Sequence, residues 1–584
     1  MEKRIVVCFL SVLIFGFSKA QISGGGTPLS FNNKNLSHPL AEKIVKSPDL
    51  SMIKAEDEVN DLYTGPYRYG VNIPAGFTPE NTGTWEILEN GSKIWRLKIT
   101  SKNAKALGLY YENFRLPPGG KLFLYNEDHT KVIGAFTDFN NHHTGLFATE
   151  LIPGDNLILE YNEPADVTGT VSFTISEINY AYRGFSVSKG FGDSESCEVN
   201  VNCSPEGDDY QDVKRSVAKM SYKKDGSGNW YCTGSLMNNT DEDCYPYFLT
   251  AFHCVEECNE NDFATMLFYF NWEAAGCSNP GTSPSAQTIN GASLLAKGQF
   301  DGGSDFALLG LHSYIPSSYS PWFNGWDRSG SFSGGGAGIH HPEGDIKKIS
   351  TYTSTPALVT ASSMGNNSAL EVYWVETANG DGMLEPGSSG SPVFDDDGYM
   401  LGTLTMGTHD CSTNPNYAYY GSMHYHWRLN GSSADKRLKP WLDPGSTGVT
   451  SLTGMNGTDN INPDVDFTAS STSVDAGNTI TFYDASLAFP GSDYNWTFEG
   501  GTPSTSTLKN PTVTFNSGGT FNISLTVSRN GYSDTETKMD YIVVTGASGI
   551  AEPVEEDIII APNPAYDYLY IAFSENSGDK TMKI

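Results

Sequence analysis

The sequence predicts a mainly β chain of several domains. Three observations carry that expectation. No stretch of the 584 residues keeps a long amphipathic helical period. Apolar residues instead recur in short, often alternating runs, set apart by Gly, Pro, Asn and Asp clusters. Charged residues make up only 18% of the chain, against about 25% in an ordinary globular protein, while Gly, Ser, Thr, Asn and Tyr are abundant. At one domain per about 150 residues, the length suggests three or four domains. A hydrophobic content of 38%, with 61 glycines besides, is enough to build cores, so wholesale disorder is excluded. The 36 basic and 68 acidic residues give a net charge of −32. So acidic a chain is repelled by nucleic acid and by anionic membranes.

The elements follow in order. Lys3 and Arg4 precede an apolar stretch, Ile5 to Phe17, and Ser18-Lys19-Ala20 offers small residues for cleavage. Residues 1–20 are therefore expected to be a signal peptide. The apolar stretch is short for a membrane span, and no later run of about 20 apolar residues follows. The mature protein is expected to be soluble, extracellular and monomeric, with attachment to the cell surface left open. Residues 21–191 carry alternating runs such as Trp95 to Ile99, Leu122 to Tyr125, Asn156 to Tyr161 and Val171 to Ile175. Turn signals at Pro117-Pro118-Gly119-Gly120 and Pro153-Gly154-Asp155 part them, a sandwich-like pattern. Residues 192–452 hold every cysteine except Cys8 and most Gly/Ser turns. Residues 463–545 form another short β unit, and residues 551–584 a β tail.

The eight cysteines beyond the leader are Cys197, Cys203, Cys232, Cys244, Cys254, Cys258, Cys277 and Cys411. An even count in an exported chain implies disulfides, but counting does not give the connectivity. No CxxC pair recurs and no HExxH occurs, so neither a metal nor another cofactor is expected.

Three strings carry the chemistry. They are Thr250-Ala251-Phe252-His253-Cys254, Gly303-Ser304-Asp305-Phe306-Ala307, and Pro386-Gly387-Ser388-Ser389-Gly390-Ser391-Pro392. Singly, each reads as a strand end, a cap or a flexible turn. Together they place His, Asp and Ser in one of the orders that catalytic triads use. A serine hydroxyl is a weak nucleophile and needs a base beside it. His253 would take the Ser389 proton and return it to the leaving amine, while a buried Asp305 would hold the imidazole tautomer. The backbone N–H groups of Gly387 and Ser389 would face the developing oxyanion. An esterase of the α/β-hydrolase kind fails on chain order, Ser before acid before His, and on the absence of alternating helices. A catalytically silent adhesin or scaffold is the other reading.

The stretch from about 197 to 446 resembles the lysyl endopeptidase family of trypsin-like serine proteases. The strings are CSPEGDD at 203–209, CTGSLMNNT at 232–240, YFLTAFHC at 247–254 and SDFALLGL at 304–311. GWDRSG at 325–330, GIHHPEGDIKKIS at 338–350, EPGSSGSP at 385–392 and WLDPGSTG at 441–448 complete the set. The resemblance implies a trypsin-like double β-barrel and a triad of His253, Asp305 and Ser389, acting on protein or peptide substrates. It also implies disulfides Cys197–Cys411, Cys203–Cys277 and Cys232–Cys254. Cys244 and Cys258 have no counterparts in the family and are expected to pair with each other. The family's specificity-pocket aspartate falls at Ala418, and a histidine of the neighbouring strand at Thr405, so a neutral pocket of Thr405, Ala418, Tyr419 and Gly421 is expected. Asp410 is a substitute acid, read as a solvated loop carboxylate. Ser388 stands where many trypsin-like zymogens carry the aspartate that receives a new N-terminus. Residues 21–191 then look like a propeptide with a β-sandwich fold, and cleavage after Lys189 is one candidate junction. His340 and His341 are read as structural.

Residues 463–545 resemble a PKD domain, an immunoglobulin-like β-sandwich, through VDFTASSTSVDAGNTITFYDAS at 465–486 and YNWTFEGGTPSTSTLKNPTVTF at 494–515, with Trp496 as its core tryptophan. The tail's IIIAPNPAYDYLYI at 558–571 resembles a sorting domain of type IX secretion, which implies that secretion machinery as a partner. The tail looks truncated against such domains.

Overall fold

The computed structural model describes residues 23–33, 36–184, 193–224, 226, 228–408, 410–412, 416–546, 559–561, 569–572 and 580–582. The expected signal peptide and the candidate junction at Lys189 lie outside them. The fold is mainly β: no helix among the described residues exceeds the ten residues of Ser51–Asn60. None is long and apolar enough to cross a membrane. The chain divides into two compact units, the first running through Asp466 and taking in Asp484–Asp493 and Val527–Asp534.

The first unit opens with a β-sandwich. Strand Lys93–Thr100 pairs with Ala41–Ile44 on one side and Asn156–Glu163 on the other. Its alternation sends Trp95, Leu97 and Ile99 inward, as the period of two requires. The facing sheet is built from Tyr67–Phe77, Ser172–Ala181 and Ala106–Arg115. Side chains of both sheets, Trp95, Leu109, Tyr111, Phe114 and Phe173 among them, form one core. Strand Tyr67–Phe77 also pairs antiparallel with Gly228–Met237, so this sheet runs on into the next domain.

Two barrels follow. In the first, Gly228–Met237 lies between Val217–Lys224 and Tyr247–Thr250, and Phe306–Leu311 between Tyr247–Thr250 and Ala292–Gly298. Leu267–Phe270 and Gln287–Asn290 extend the sheet beyond Val217–Lys224. Met220, Leu236, Phe248, Phe268 and Leu309 fill it. In the second, Gly336–His340, Pro392–Asp395, Met400–Gly407, Tyr417–Ser422 and Ala369–Tyr373 pair in that order. Leu370, Trp374, Leu404 and Tyr420 fill that one. A third cluster contains Leu249 and Leu308 from the first barrel and Ile339, Phe394 and Met400 from the second. It locks the barrels together along the seam where the His, Asp and Ser strings meet. The two barrels packed side by side are the double β-barrel expected for residues 192–452.

Three disulfides are formed: Cys197–Cys411, Cys203–Cys277 and Cys232–Cys254. The expected fourth is not, and Cys244 and Cys258 are free thiols. Their surroundings differ. Cys244 sits buried beside the Thr458 backbone, whereas the Cys258 thiol points at the Lys223 carbonyl, 3.7 Å away. Burial pushes the Cys258 thiol up to about 12, so it is held as an unreactive thiol.

The second unit contains a sandwich of two sheets. Thr479–Asp484 and Thr512–Phe515 lie in one, and Asp493–Phe498, Gly519–Arg529 and Tyr532–Thr545 in the other. Trp496 is fully buried, packs edge-on against Phe467 at 5.1 Å, and donates its indole N–H to the Leu508 carbonyl at 2.9 Å. It is the core tryptophan. Three short strands, Ile559–Ala561, Leu569–Ala572 and Lys580–Met582, form a small antiparallel sheet in the tail. Trp496→Ala should cost about 3–5 kcal/mol of local stability. Hydrogen exchange on the full chain should lose protection in strands of residues 479–545 and keep it in strands of residues 217–311.

Candidate active site

Adjacent strands bring the histidine and the aspartate together. Tyr247–Thr250 ends just before His253, and Phe306–Leu311 begins just after Asp305. The two pair antiparallel, with Thr250 opposite Ala307, so the end of one meets the start of the other. The His253 backbone N–H donates to Asp305 Oδ1 at 2.9 Å, and His253 Nδ1 lies 2.7 Å from Oδ2. The Asp305 side chain is fully buried, while that of His253 keeps 20% exposure. Burial alone would push the Asp305 carboxyl up, but the His253 charge and hydrogen bonds hold it below its usual range, with help from the Thr405 hydroxyl. The Asp305 backbone has φ 57°, a left-handed conformation that aspartate tolerates.

The segment before Asp305 is locked from the second barrel. Ser304 Oγ lies 2.7 Å from His426 Nδ1, and the Ser304 N–H donates to Asn430 Oδ1 at 3.0 Å. Burial drives the His426 imidazole down to about 3, so it serves as a neutral hydrogen-bonding ring. Gly421 belongs to the same lock, since a Cβ there would collide with the Ser304 carbonyl.

The serine turn is held from the first barrel. The Thr233 N–H donates to the Ser389 carbonyl at 2.9 Å, and the Thr233 hydroxyl to the Gly387 carbonyl at 2.9 Å. Gly387 has φ 92° and Gly390 φ 81°. A Cβ at Gly390 would strike Thr250 Oγ1 and the Thr233 carbonyl, so only glycine fits. Ser388 Oγ lies 2.8 Å from His340 Nδ1, and His340 Nε2 lies 3.6 Å from Glu198. His341 Nδ1 lies 2.9 Å from the Asp345 carbonyl. His340 braces the turn, while His341 is tied to its own loop and donates its backbone N–H to the Thr233 hydroxyl at 3.1 Å. Ser389 Oγ and His253 Nε2 are themselves buried, and neither has a hydrogen-bond partner. The Ser–His hydrogen bond of the expected triad is thus not formed in this state. The Gly387 N–H, one expected oxyanion donor, instead gives its hydrogen bond to the Gly65 carbonyl at 2.7 Å.

The expected pocket residues divide. Ala418 is fully buried among Leu370, Val372, Trp374 and Leu404. Thr405 bears on Asp305, and Gly421 on Ser304, so both serve the surroundings of Asp305. The Tyr419 hydroxyl donates to Glu371 at 3.0 Å. Asp410 is exposed and accepts from the Ser412 N–H and hydroxyl at 2.7 and 2.6 Å.

Sequence reasoning missed the carboxyls packed under the turn. Burial raises Glu385 to about 7 and Glu343 to about 8, and Glu385 raises Glu343 further. Glu198 is also raised, by burial and then by Glu385. No spacing in the sequence ties these three positions together. The Thr64-Gly65 segment was missed too, because Gly65-Pro66 reads only as a turn signal. Among the described residues, no cluster of three or more His, Cys, Asp or Glu side chains is placed to hold a metal.

Residues 191–421 match the family described as "Lysyl endopeptidase, C-terminal domain", and residues 464–542 the family described as "PKD domain". The lysyl endopeptidase of Pseudomonas aeruginosa PAO1 is 30% identical over 268 residues, 43% of this chain and 54% of that protein. The chain thus spans about half the length of that curated relative. Among solved structures, the thermostable serine protease AL20 from an extremophilic microorganism is 16% identical and covers 36% of this chain and 91% of its own, with TM-score 0.25. The protease Anisep from Arthrobacter nicotinovorans is 15% identical with the same coverages and TM-score 0.27.

The buried carboxyls set a pH dependence. A carboxyl raised in the folded state binds its proton more tightly there than in the unfolded chain. Stability is therefore full below the unfolded value of about 4.3 and falls as pH rises to the folded values of about 7 and 8. The melting temperature of the Ser389→Ala chain should fall from pH 5 to pH 8. Glu343→Gln with Glu385→Gln should flatten that slope, and an unchanged slope would assign the effect to other groups.

Proposed function

We propose that this chain is the precursor of an exported serine endopeptidase. The observation that carries the reading is the 2.7 Å contact of His253 with a buried Asp305, on a seam that also holds the braced Ser389 turn. In the freed enzyme His253 Nε2 takes the Ser389 proton as Oγ attacks the carbonyl carbon. The Gly387 and Ser389 N–H groups receive the developing oxyanion. His253 then protonates the leaving amine, and water hydrolyses the acyl-enzyme by the same steps in reverse roles. Asp305 stays ionised and steadies the imidazolium.

Residues 1–20 act as the signal peptide, residues 21–191 as a propeptide, and residues 192–452 as the protease domain. Residues 463–545 are an appended PKD-like sandwich, and the tail is a sorting signal read by type IX secretion machinery. The product is an extracellular monomer acting on proteins. The curated relative's name specifies lysine, but a charged lysine buried in a pocket needs a partner charge. Ala418 supplies none and its neighbours are apolar, and Asp410 is engaged by Ser412. We therefore assign a preference for apolar or small residues before the cut bond.

Asp305→Asn should keep the fold and lower turnover about 10⁴-fold, read from hydrolysis of denatured protein. A near-normal rate would remove Asp305 from the triad. A serine-directed organophosphorus reagent should label the processed protein at Ser389, and absence of label would favour the silent scaffold. Terminal sequencing of cuts in a peptide library, with Ser389→Ala as control, should show apolar or small residues before the cut. Cuts after lysine would mean that another acid lines the pocket.

A further inference from the structure

The Gly387 N–H bond to Gly65 is one of several contacts that hold residues 64–70 against the two barrels. Thr64 is buried, and its hydroxyl both accepts from the Gly407 N–H at 2.6 Å and donates to the Gly407 carbonyl at 3.2 Å. Beyond Pro66 the chain joins the first barrel as an added strand. Tyr67 lies opposite Tyr231, Arg68 opposite Trp230 and Gly70 opposite Asn229. Tyr231 immediately precedes Cys232, which is bonded to Cys254 beside His253. Tyr69 stacks on Tyr231 with ring centres 3.9 Å apart. The strand is tied behind as well. Arg68 Nε donates to a buried Asp57 at 2.8 Å, and the Tyr182 hydroxyl donates to the same carboxylate at 2.6 Å. Meanwhile Ser389 Oγ and His253 Nε2 are shut off from solvent.

The direction of the chain decides what this contact is. A carbonyl held by the oxyanion donor is the carbonyl that Ser389 would attack. The residue after it supplies the leaving nitrogen. Here the carbonyl is that of Gly65 and the nitrogen that of Pro66. Proline has no N–H, and its ring carbon Cδ occupies the place of that hydrogen. His253 must deliver a proton to this nitrogen as the bond breaks, and the ring crowds that approach. Gly65 also brings no side chain to a specificity pocket.

We propose that residues 64–67 form a built-in, substrate-directed inhibitor, with the Gly65–Pro66 bond at the cleavage position and the proline keeping it uncut. This rests on the serine endopeptidase reading and specifies how that site is kept silent. It also assigns the edge of Asn229–Tyr231 as the surface that holds residues after the cut bond, by β-strand addition. With an ordinary residue at position 66, the reaction completes. Ser389 Oγ bonds to the Gly65 carbonyl carbon, the bond to residue 66 breaks, its nitrogen takes the proton from His253, and water then releases Gly65 as a carboxylate.

The test uses full-length precursor as wild type, Pro66→Ala, and Pro66→Ala with Ser389→Ala. New N-termini are followed by mass spectrometry. The Pro66→Ala chain should open between 65 and 66 at least about 100-fold faster than wild type, and the double variant should not open. Because the precursor variant could misfold, processed enzyme is also given the ten-residue peptide of positions 61–70, with and without the same substitution. The substituted peptide should be cut at 65–66, and the natural one should inhibit and stay intact. Processed enzyme that digests protein through Ser389 but cuts neither variant at 65–66 overturns the inhibitor and leaves the protease reading standing. Equal cutting of natural and substituted peptides overturns the role of the proline. Processed enzyme that neither digests protein nor takes the serine label overturns both.

Discussion

A carboxylate with no solvent exposure persists only when its surroundings hold it, because an unpaired buried charge costs several kcal/mol. Asp305 meets that constraint with two bonds from His253, one from the backbone and one from the ring. Both depend on Thr250 lying opposite Ala307, and so on the register of two strands deep in the first barrel. The second barrel contributes Thr405, His426 and the bare Gly421 around the same residue. Packing of one barrel on the other is thus a condition for holding Asp305, and through Asp305 for holding His253.

The serine turn answers a different need, the aiming of backbone N–H groups. Thr233 holds two of its carbonyls, Gly390 passes where no side chain fits, and His340 braces it through Ser388. Each carbonyl so engaged fixes the peptide plane that carries the next N–H. In this state the Gly387 N–H is spent on Gly65. The buried Glu385 and the half-buried Glu343 lie next to the turn in sequence or by backbone contact, since the Glu343 N–H donates to the Pro386 carbonyl at 2.6 Å. Raising pH therefore loads charge directly against the turn.

Much of the site was legible because its chemistry is local. His253 sits in a short string after an apolar strand, Asp305 before one, and Ser389 in a glycine-flanked turn. Alternation marked Trp95, Leu97 and Ile99 as core, and the resemblance to a PKD domain marked Trp496. Three of the four expected disulfides formed, and the fourth failed because being the two cysteines left over says nothing about where two thiols lie in the fold. The pocket was the weakest reading. Thr405 and Gly421 lie on the strands expected, but their atoms serve Asp305 and Ser304.

By itself the sequence determined the β class and the acidic charge, and it singled out His253, Asp305 and Ser389 as the groups to examine. Those follow from period, composition and short motifs, which act within a few residues. Only the tertiary structure decided that Glu198 and Glu343 each lie close to the buried Glu385, that Ser388 hangs on His340, and that Gly65 lies against Gly387. Those pairs are separated by tens to hundreds of residues. They exist because strand pairing and burial bring distant backbone together, and no local pattern records that.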